Sequence, residues 1–208
     1  MYGACVASNG VSFTINSHGA TRCTLLLFKP QAPKPYARIP FPDSYRIGDT
    51  YSMLVYDIKP DEFEYAFSFD GPYEPAKGLL FNEENVLLDP YSRAVTGQRK
   101  WGEKPEGGKD FEYRARVVKS SFDWGNIKQL EQPFEDLVIY ETHVRGYTKD
   151  KSSGVSAPGT FAGLKDKIPY LKDLGINAVE LMPIFEFDEM ESARVVDGVQ
   201  LYNYWGYN

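Results

Sequence analysis

Four carboxylates lie close together near the end of this 208-residue chain: Glu186, Asp188, Glu189 and Glu191, all within the stretch EFDEMES. Two carboxyl groups held near one another can act as a general acid and a base or nucleophile, because their surroundings set their pKa values apart. The spacing alone fits either such a catalytic pair or an acidic loop that is exposed to solvent.

A second group of polar residues lies in and just after an apolar segment of strand length, LVIYETHV (137–144). Alternation along a strand would place Glu141, His143 and Arg145 on one face. Histidine titrates near neutral pH, so acid–base chemistry is one interpretation of this group. Glu180 lies in a later apolar segment, INAVELMPI (176–184), where a buried charge would need a partner.

The aromatic run LYNYWGYN occupies residues 201–208 at the end of the chain. A free terminus is usually polar and frayed, because nothing holds it in place. The run therefore has three interpretations, namely packing, a binding surface, or the interrupted part of something longer.

The composition is that of a folded globular protein, with 42% apolar and 25% charged residues. The net charge of −6, without any block of like charges, weighs against a nucleic-acid surface, which needs a basic patch. Aromatic residues reach 15%, which suits a neutral hydroxylated ligand such as a sugar, although a β-rich core explains it more simply. The sequence shows neither a signal-peptide pattern nor an apolar run of about 20 residues, so contact with a membrane is not expected.

The first part of the chain alternates with the period of a β-strand. Turn-forming residues separate the strand-like segments, which predicts an antiparallel sandwich. These segments are GVSFTI (10–15), TLLLF (24–28), YSMLVYDI (51–58) and FEYAFSF (63–69). The aromatic row in the last segment could stack on sugars, but the inner face of the sandwich is the favoured interpretation. Cys5 and Cys23 fit no zinc motif, and free thiols are favoured over a disulfide between strands.

From residue 137 the pattern changes to strand, helix, strand. Thr160 offers an N-cap, Pro169 predicts a kink, and Gly175 predicts the end of the helix. One helical face is apolar, formed by Phe161, Leu164, Ile168, Leu171 and Leu174. Two parallel strands with one helix cannot cover both faces of their sheet. Residues 137–208 are therefore predicted to be the incomplete start of a larger α/β domain, with self-association of the truncated chain.

Three blocks of sequence together resemble one family. They are DGPYEPAKGLLFNEENVLLDPYSRAVTG (70–97), YETHVRGYT (140–148) with GTFAGLKDKIPYLKDLGINAVELMPIFEFDE (159–189), and NYWGYN (203–208). In this order and spacing the chain resembles the N-terminal part of glycogen-debranching enzymes of the isoamylase and pullulanase type, in the α-amylase superfamily (glycoside hydrolase family 13). The resemblance runs from about Gly3 to the end of the chain.

The resemblance implies three regions. Residues 1–97 would form an immunoglobulin-like β-sandwich of the carbohydrate-binding module 48 type, and residues 98–136 a connecting segment. Residues 137–208 would be the first βαβ portion of a catalytic (β/α)₈ TIM barrel. The module has no tryptophan in residues 1–97, so a structural role for it is at least as well supported as glycan binding.

The resemblance also implies the chemistry, which is retaining hydrolysis of α-1,6 branch linkages in glycogen- and starch-type glucans, with no metal or organic cofactor. The family's catalytic aspartate and glutamate lie on later barrel strands, so no catalytic residue is expected in these 208 residues and the chain alone should be inactive. By the same resemblance EFDEMES is a solvated loop, and Glu141, His143 and Arg145 belong to the barrel framework. Tyr207, at the family's sugar-stacking position, and Trp205 beside it are the substrate-binding candidates.

Other functions stay open at this stage. One is a non-catalytic α-glucan-binding or scaffold protein. Within the same superfamily, a branching enzyme or a trehalose-releasing hydrolase begins with the same two domains. The expected partner is an α-glucan polysaccharide or oligosaccharide, with no nucleic acid and no membrane, and the expected location is the cytoplasm.

Overall fold

The structure, a computed structural model, describes residues 1–96, 101–103, 113–119, 122–128 and 130–207. The chain divides into two units, Met1–Phe122 and Asp123–Asn208. The predicted boundary at residue 97, part of the predicted connecting segment and Asn208 lie outside the described residues. The predicted domain limits stay a prediction.

The regular elements described in the first unit are β-strands and short 3₁₀ turns, the latter at Asp43–Tyr45, Pro60–Glu62 and Pro75–Lys77. Its strands are β1 (Gly3–Ala7), β2 (Gly10–Asn16), β3 (Arg22–Phe28), β4 (Ala37–Pro40), β5 (Arg46–Ile47), β6 (Thr50–Tyr56), β7 (Glu64–Asp70), β8 (Tyr73–Glu74), β9 (Leu79–Leu80), β10 (Ala94–Thr96) and β11 (Arg114–Arg116). The four predicted strand segments correspond to β2, β3, β6 and β7, so this part of the prediction is confirmed.

Two antiparallel sheets share one hydrophobic core in this unit. One sheet has the order β1-β2-β6-β5 and the other has the order β10-β11-β7-β3-β4. Alternation along β2 buries Val11, Phe13 and Ile15 in the core, while Ser12 and Thr14 are only half-buried. The predicted aromatic row from Phe63 to Phe69 is also buried in that core, which supports its interpretation as packing. Both cysteines are free, as favoured.

A buried polar pair fastens the chain after β9 to the core. The Tyr65 hydroxyl donates to Asp89 Oδ2 at 2.7 Å, and the Tyr91 N–H donates to Asp89 Oδ1 at 2.8 Å. Asp89 has no exposed surface. Burial raises the pKa of the Asp89 carboxyl above its usual value, although both hydrogen bonds oppose that rise. Burial also raises the pKa of the Tyr65 hydroxyl.

The second unit combines strands and short helices. Its elements are β12 (Ile139–Thr142), α1 (Val144–Lys149), α2 (Phe161–Asp166), α3 (Ile168–Asp173), β13 (Ala178–Leu181), β14 (Arg194–Val196) and β15 (Val199–Leu201), with 3₁₀ turns at Phe134–Asp136 and Lys151–Ser153. β12 and β13 are parallel neighbours, and β14 and β15 form an antiparallel hairpin. The predicted strand–helix–strand order is present, with an additional helix, α1, directly after β12.

The helical segment begins and breaks where the sequence predicts. The Thr160 hydroxyl accepts a hydrogen bond from the Gly163 N–H and caps α2. Lys167 interrupts the helix between α2 and α3, and Pro169 lies in the first turn of α3. Gly175 follows α3 with a φ of +87°. Of the predicted apolar face, only Leu164 and Leu171 are buried, whereas Phe161, Ile168 and Leu174 are exposed. Among the described residues, no helix has the length and apolar character needed to cross a membrane.

Candidate functional site

The segment that follows β13 folds back onto its own beginning. Ile184 and Gly206 form a parallel β-bridge, and the Phe185 N–H donates to the Gly206 carbonyl at 3.0 Å. Gly206 is buried, and a Cβ atom at this position would lie 2.5 Å from the Pro183 carbonyl oxygen. A glycine is therefore needed for the two stretches of backbone to approach this closely.

A tight hairpin produces this return of the chain. Asp197 and Gly198 connect β14 to β15 with φ angles of +50° and +79°, the combination found in two-residue hairpin turns. After β15, the Asn203 N–H donates to the Glu189 carbonyl at 3.0 Å, and Asn203 Nδ2 donates to the Asp188 carbonyl at 3.3 Å. Asn203 Oδ1 accepts from the Trp205 N–H at 3.2 Å. Asn203 thus connects the acidic segment to the aromatic run.

The acidic segment is not uniformly solvated. Glu186 and Glu191 are exposed, as a solvated loop predicts, but Glu189 is fully buried and Asp188 is half-buried. The Asp188 carboxylate accepts from the Met190 N–H at 2.8 Å, which closes a local turn. The prediction of a solvated loop is therefore wrong for Glu189, which is buried and whose backbone carbonyl accepts from the returning Asn203.

The aromatic run forms a chain of ring contacts that starts at a histidine. Ring centroids are 4.6 Å apart for His143 and Tyr204, 4.6 Å for Tyr204 and Trp205, and 6.2 Å for Trp205 and Tyr207. The His143 ring also meets the Trp205 ring edge-on at 5.7 Å. Trp205 is 40% exposed and Tyr207 is 66% exposed, so both predicted binding residues lie together and present ring surface to solvent.

His143 is held by both of its ring nitrogens. Nδ1 accepts from the Gly146 N–H at 3.0 Å and caps α1, while Nε2 donates to the Tyr204 carbonyl at 2.9 Å. The histidine follows the last residue of β12, so the cluster formed by His143, Tyr204, Trp205 and Tyr207 begins at the carboxyl end of a parallel strand. We refer to these four residues as the aromatic cluster.

Two further tyrosines lie on β12 and α1. Burial raises the pKa of Tyr147, whose ring packs edge-on against the Tyr140 ring.

The predicted arrangement of Glu141, His143 and Arg145 on one strand face is wrong. β12 ends at Thr142, so His143 is a helix cap and Arg145 lies in α1. Glu180 is not buried either, since it is exposed on β13 and stands directly beside the exposed Glu141 of β12 in the parallel register. The strand periodicity failed because α1 begins at once after the strand.

Candidate metal ligands are not grouped in the described part of the chain, where no three side chains of His, Cys, Asp or Glu are placed to hold an ion. The chemistry of the aromatic cluster is instead that of stacking and hydrogen bonding. Sequence reasoning missed Tyr204 and His143 as members of this cluster. Tyr204 could have been found from its place in the same run of aromatic residues. His143 could not be found in this way, because it lies 61 residues before Tyr204.

A second aromatic surface lies on the first unit. The Tyr2 and Tyr91 rings stack with centroids 4.8 Å apart and planes 16° apart, and both side chains are close to half exposed. The Tyr2 hydroxyl is 3.4 Å from the Thr50 hydroxyl, which also accepts from Asn16 Nδ2 at 3.2 Å. An exposed ring pair therefore lies next to hydroxyl and amide groups.

Comparison with known proteins supports the resemblance. Residues 1–92 match carbohydrate-binding module 48, described as the isoamylase N-terminal domain. The chain is 37% identical to isoamylase 1, chloroplastic, of Oryza sativa subsp. japonica over 99% of this chain and 26% of that protein. It is 36% identical to the glycogen debranching enzyme of Yersinia enterocolitica over 96% of this chain and 31% of that protein.

The chain is similar over nearly its whole length to isoamylases and glycogen debranching enzymes. It spans about a quarter to a third of the length of the curated relatives it matches. The fold is shared with a pullulanase from Paenibacillus barengoltzii, solved with maltohexaose and α-cyclodextrin, with a TM-score of 0.68 at 20% identity over 92% of this chain and 28% of that one. The resemblance predicted from the three sequence blocks is confirmed, and carbohydrate-binding module 48 matches residues 1–92 of the first unit.

Proposed function

We propose that this chain is the N-terminal part of a retaining glycoside hydrolase that cleaves α-1,6 branch linkages in glycogen- and starch-type α-glucans. The observation that carries the proposal is the extent of the similarity to isoamylases, which runs over 99% of the chain and includes both units. A similarity restricted to the carbohydrate-binding module would fit many glucan-binding proteins equally well. The similarity over the second unit is what favours a debranching enzyme.

The second unit is proposed to supply the first strand, the following helices and the second strand of a (β/α)₈ barrel. β12 and β13 are parallel, and parallel sheets are nearly always covered on both faces. Here Ile139 and Val179 are 50% and 43% exposed, which is the state expected of barrel strands whose neighbours lie elsewhere in the protein. The shared fold with a pullulanase over 92% of the chain supports the same assignment.

The aromatic cluster is proposed to contact the glucan through Tyr207 and Trp205. In barrel enzymes of this architecture the active site is formed at the carboxyl ends of the strands, and the cluster begins directly after β12. A tyrosine or tryptophan ring can stack on the apolar C–H face of a glucose unit while polar groups stay hydrated. The catalytic carboxylates are proposed to come from later barrel strands, so residues 1–208 alone should not hydrolyse a branched dextrin.

The test uses the full-length enzyme and a branched dextrin. Tyr207→Ala removes the stacking ring and is expected to lower kcat/KM at least tenfold, which corresponds to about 1.4 kcal/mol of lost transition-state stabilisation. Tyr207→Phe keeps the ring and should stay within about threefold of the wild type, which is less than 0.7 kcal/mol. Tyr170, an exposed ring on α3, provides the matched control Tyr170→Ala. Equal effects of Tyr207→Ala and Tyr170→Ala would refute the assignment of Tyr207.

A glucan-binding role of the first unit is the second candidate, and the stacked Tyr2–Tyr91 pair favours it. The pair presents ring surface beside the hydroxyl of Thr50 and the amide of Asn16, the groups that a neutral sugar needs. Titration of the 208-residue chain with maltohexaose should shift tyrosine NMR signals of the pair. Tyr91→Ala should abolish the shift of Tyr2, and Tyr56→Ala, at a more exposed ring on β6, should leave it unchanged.

The remaining expectations keep the status of predictions. A branching enzyme or a trehalose-releasing hydrolase would act on different linkages, and product analysis of the full-length enzyme distinguishes them. The cytoplasmic location also stays a prediction, and the plant relatives are named as chloroplastic. Self-association of the chain would be measured by sedimentation.

A further inference from the structure

His143 occupies the junction between three elements of the second unit. It follows β12, it caps α1, and its ring contacts the segment 203–207 that contains Tyr207. The side chain makes two hydrogen bonds through two different nitrogens, and both partners are backbone groups with fixed roles. These contacts determine the protonation state of the ring.

The two hydrogen bonds require one neutral tautomer. A backbone N–H can only donate, so Nδ1, which receives the Gly146 N–H at 3.0 Å, carries no proton. A backbone carbonyl can only accept, so Nε2, at 2.9 Å from the Tyr204 oxygen, carries the proton. A doubly protonated ring would lose the cap of α1 and would place a cation at the positive end of a helix.

We infer that neutral His143 is the positioning residue of the aromatic cluster. Its Nε2–H fixes the backbone at Tyr204, and its ring packs against both Tyr204 and Trp205. Trp205 in turn contacts the Tyr207 ring, so the orientation of the proposed stacking residue depends on the histidine. The importance for glucan binding rests on the proposed function, whereas the positioning of residues 203–207 does not.

A second support acts on the same segment from the opposite direction. Asn203 is bonded to the backbone of Asp188 and Glu189 and accepts from the Trp205 N–H. Asn203 therefore fixes where the segment starts, and His143 fixes where its rings point. Loss of the His143 contact should loosen residues 204–207 without unfolding the β14–β15 hairpin.

Ionisable side chains also lie on the elements around the ring. The titratable and charged groups on the elements that pack around it are Tyr140 and Glu141 of β12, Glu180 of β13, Arg145, Tyr147 and Lys149 of α1, and Tyr202, Tyr204 and Tyr207 of the C-terminal segment. The two hydrogen bonds of the ring nevertheless go to backbone groups, the Tyr204 carbonyl and the Gly146 N–H.

The experiment separates the capping role from the positioning role on the 208-residue chain. His143→Asn keeps a good helix cap but is too short to reach the Tyr204 carbonyl, and His143→Ala loses both functions. Hydrogen exchange is then read at two backbone amides: Phe185, which donates to Gly206, reports on the segment, and Tyr147, which donates to the His143 carbonyl, reports on α1. We expect both variants to reduce the protection of Phe185 by about tenfold. Only His143→Ala should reduce that of Tyr147.

A spectroscopic measurement checks the tautomer without any substitution. The chain has two histidines, and His18 is an exposed side chain paired with Asp49 in the first unit. Nitrogen chemical shifts of labelled histidine should show an unprotonated Nδ1 and a protonated Nε2 for His143 at pH 7.5.

Two results would overturn the inference. One is unchanged protection of Phe185 in both His143 variants, and the other is an Nδ1-protonated neutral ring. Failure of the proposed glucan contact has a different signature. In that case Tyr207→Ala would not affect the full-length enzyme, while the exchange and nitrogen measurements on residues 1–208 would still give the expected results.

Discussion

Tyr65→Phe is expected to destabilise the first unit in a pH-dependent manner. The substitution removes one hydroxyl and leaves the ring, which is buried among Phe13 and Phe67 at centroid distances of 5.1 and 5.8 Å. The lost hydrogen bond is the 2.7 Å contact with Asp89, a carboxyl without exposed surface. The remaining donor to that carboxyl is the Tyr91 N–H.

The magnitude depends on whether the carboxyl is ionised. A hydrogen bond to a charged group contributes roughly 1.5–3 kcal/mol to stability and a bond between neutral groups about 1 kcal/mol. Where Asp89 is ionised, we therefore expect the free energy of unfolding to fall by about 2–3 kcal/mol, because the charge stays buried with one donor fewer. When Asp89 is protonated, the cost should approach that of a neutral bond.

The direction of the pH effect follows from the pKa of Asp89. Burial raises this pKa in the folded state, so folding is favoured as the pH falls through the raised pKa towards the unfolded value. The Tyr65 hydroxyl lowers the pKa, so its removal raises the pKa of Asp89 further. The variant should therefore recover more stability than the wild type between pH 7 and pH 4. The difference between the two proteins becomes smaller on acidification.

Urea unfolding monitored by amide signals of β3 and β7 isolates the first unit from the second. Tyr51→Phe is the matched control, because Tyr51 is a buried tyrosine whose hydroxyl donates to a neutral acceptor, the Ala20 carbonyl, at 3.0 Å. It should cost about 1 kcal/mol at both pH values. Equal losses for the two variants at pH 7, or a Tyr65→Phe loss that does not change with pH, would refute the reasoning.

Two further substitutions test the second unit. Glu180→Gln should stabilise the second unit by about 0.2–1 kcal/mol in urea unfolding, because the substitution removes the repulsion from the neighbouring Glu141. Glu141→Gln should give the same gain. Fully additive gains in the double variant would show that the two residues do not interact. Gly206→Ala should lower the amide protection of residues 184–207 by tenfold or more, since the new Cβ would lie 2.5 Å from the Pro183 oxygen. Gly146→Ala, whose Cβ has an ordinary 3.6 Å neighbour, is the control that should leave it unchanged.

Most of the fold was accessible from the sequence because the first unit follows simple alternation. Each inward residue of β2 is apolar and its outward residues are small and polar, so the period of 2 was visible there, whereas β3 was visible as a continuous apolar run of strand length. The helix start at Thr160 and the break at Pro169 were equally predictable, since each follows from the chemistry of one side chain. The close approach at Gly206 was not predictable, because it depends on a partner 22 residues earlier.

The candidate site was predicted only in part. Tyr207 and Trp205 could be selected because they belong to one run of the sequence that resembles a known family. His143 was assigned to a strand face, since the alternation of residues 137–144 gives no sign that a helix starts at residue 144. Histidine is also uncommon as an N-cap compared with Ser, Thr, Asp and Asn, so the usual helix-start pattern is missing.

The acidic stretch and the aromatic run, which the sequence presents as separate features, are two sides of one folded segment. The Asp197–Gly198 turn brings them together, and Asn203 joins them through three hydrogen bonds. Glu189 is buried where the chain returns, and Asn203 of the aromatic run is anchored to the backbone carbonyls of Asp188 and Glu189. The acidic stretch therefore serves a structural purpose at this site through its backbone carbonyls. The chemistry proposed for this part of the chain is carried by the rings that they help to hold in place.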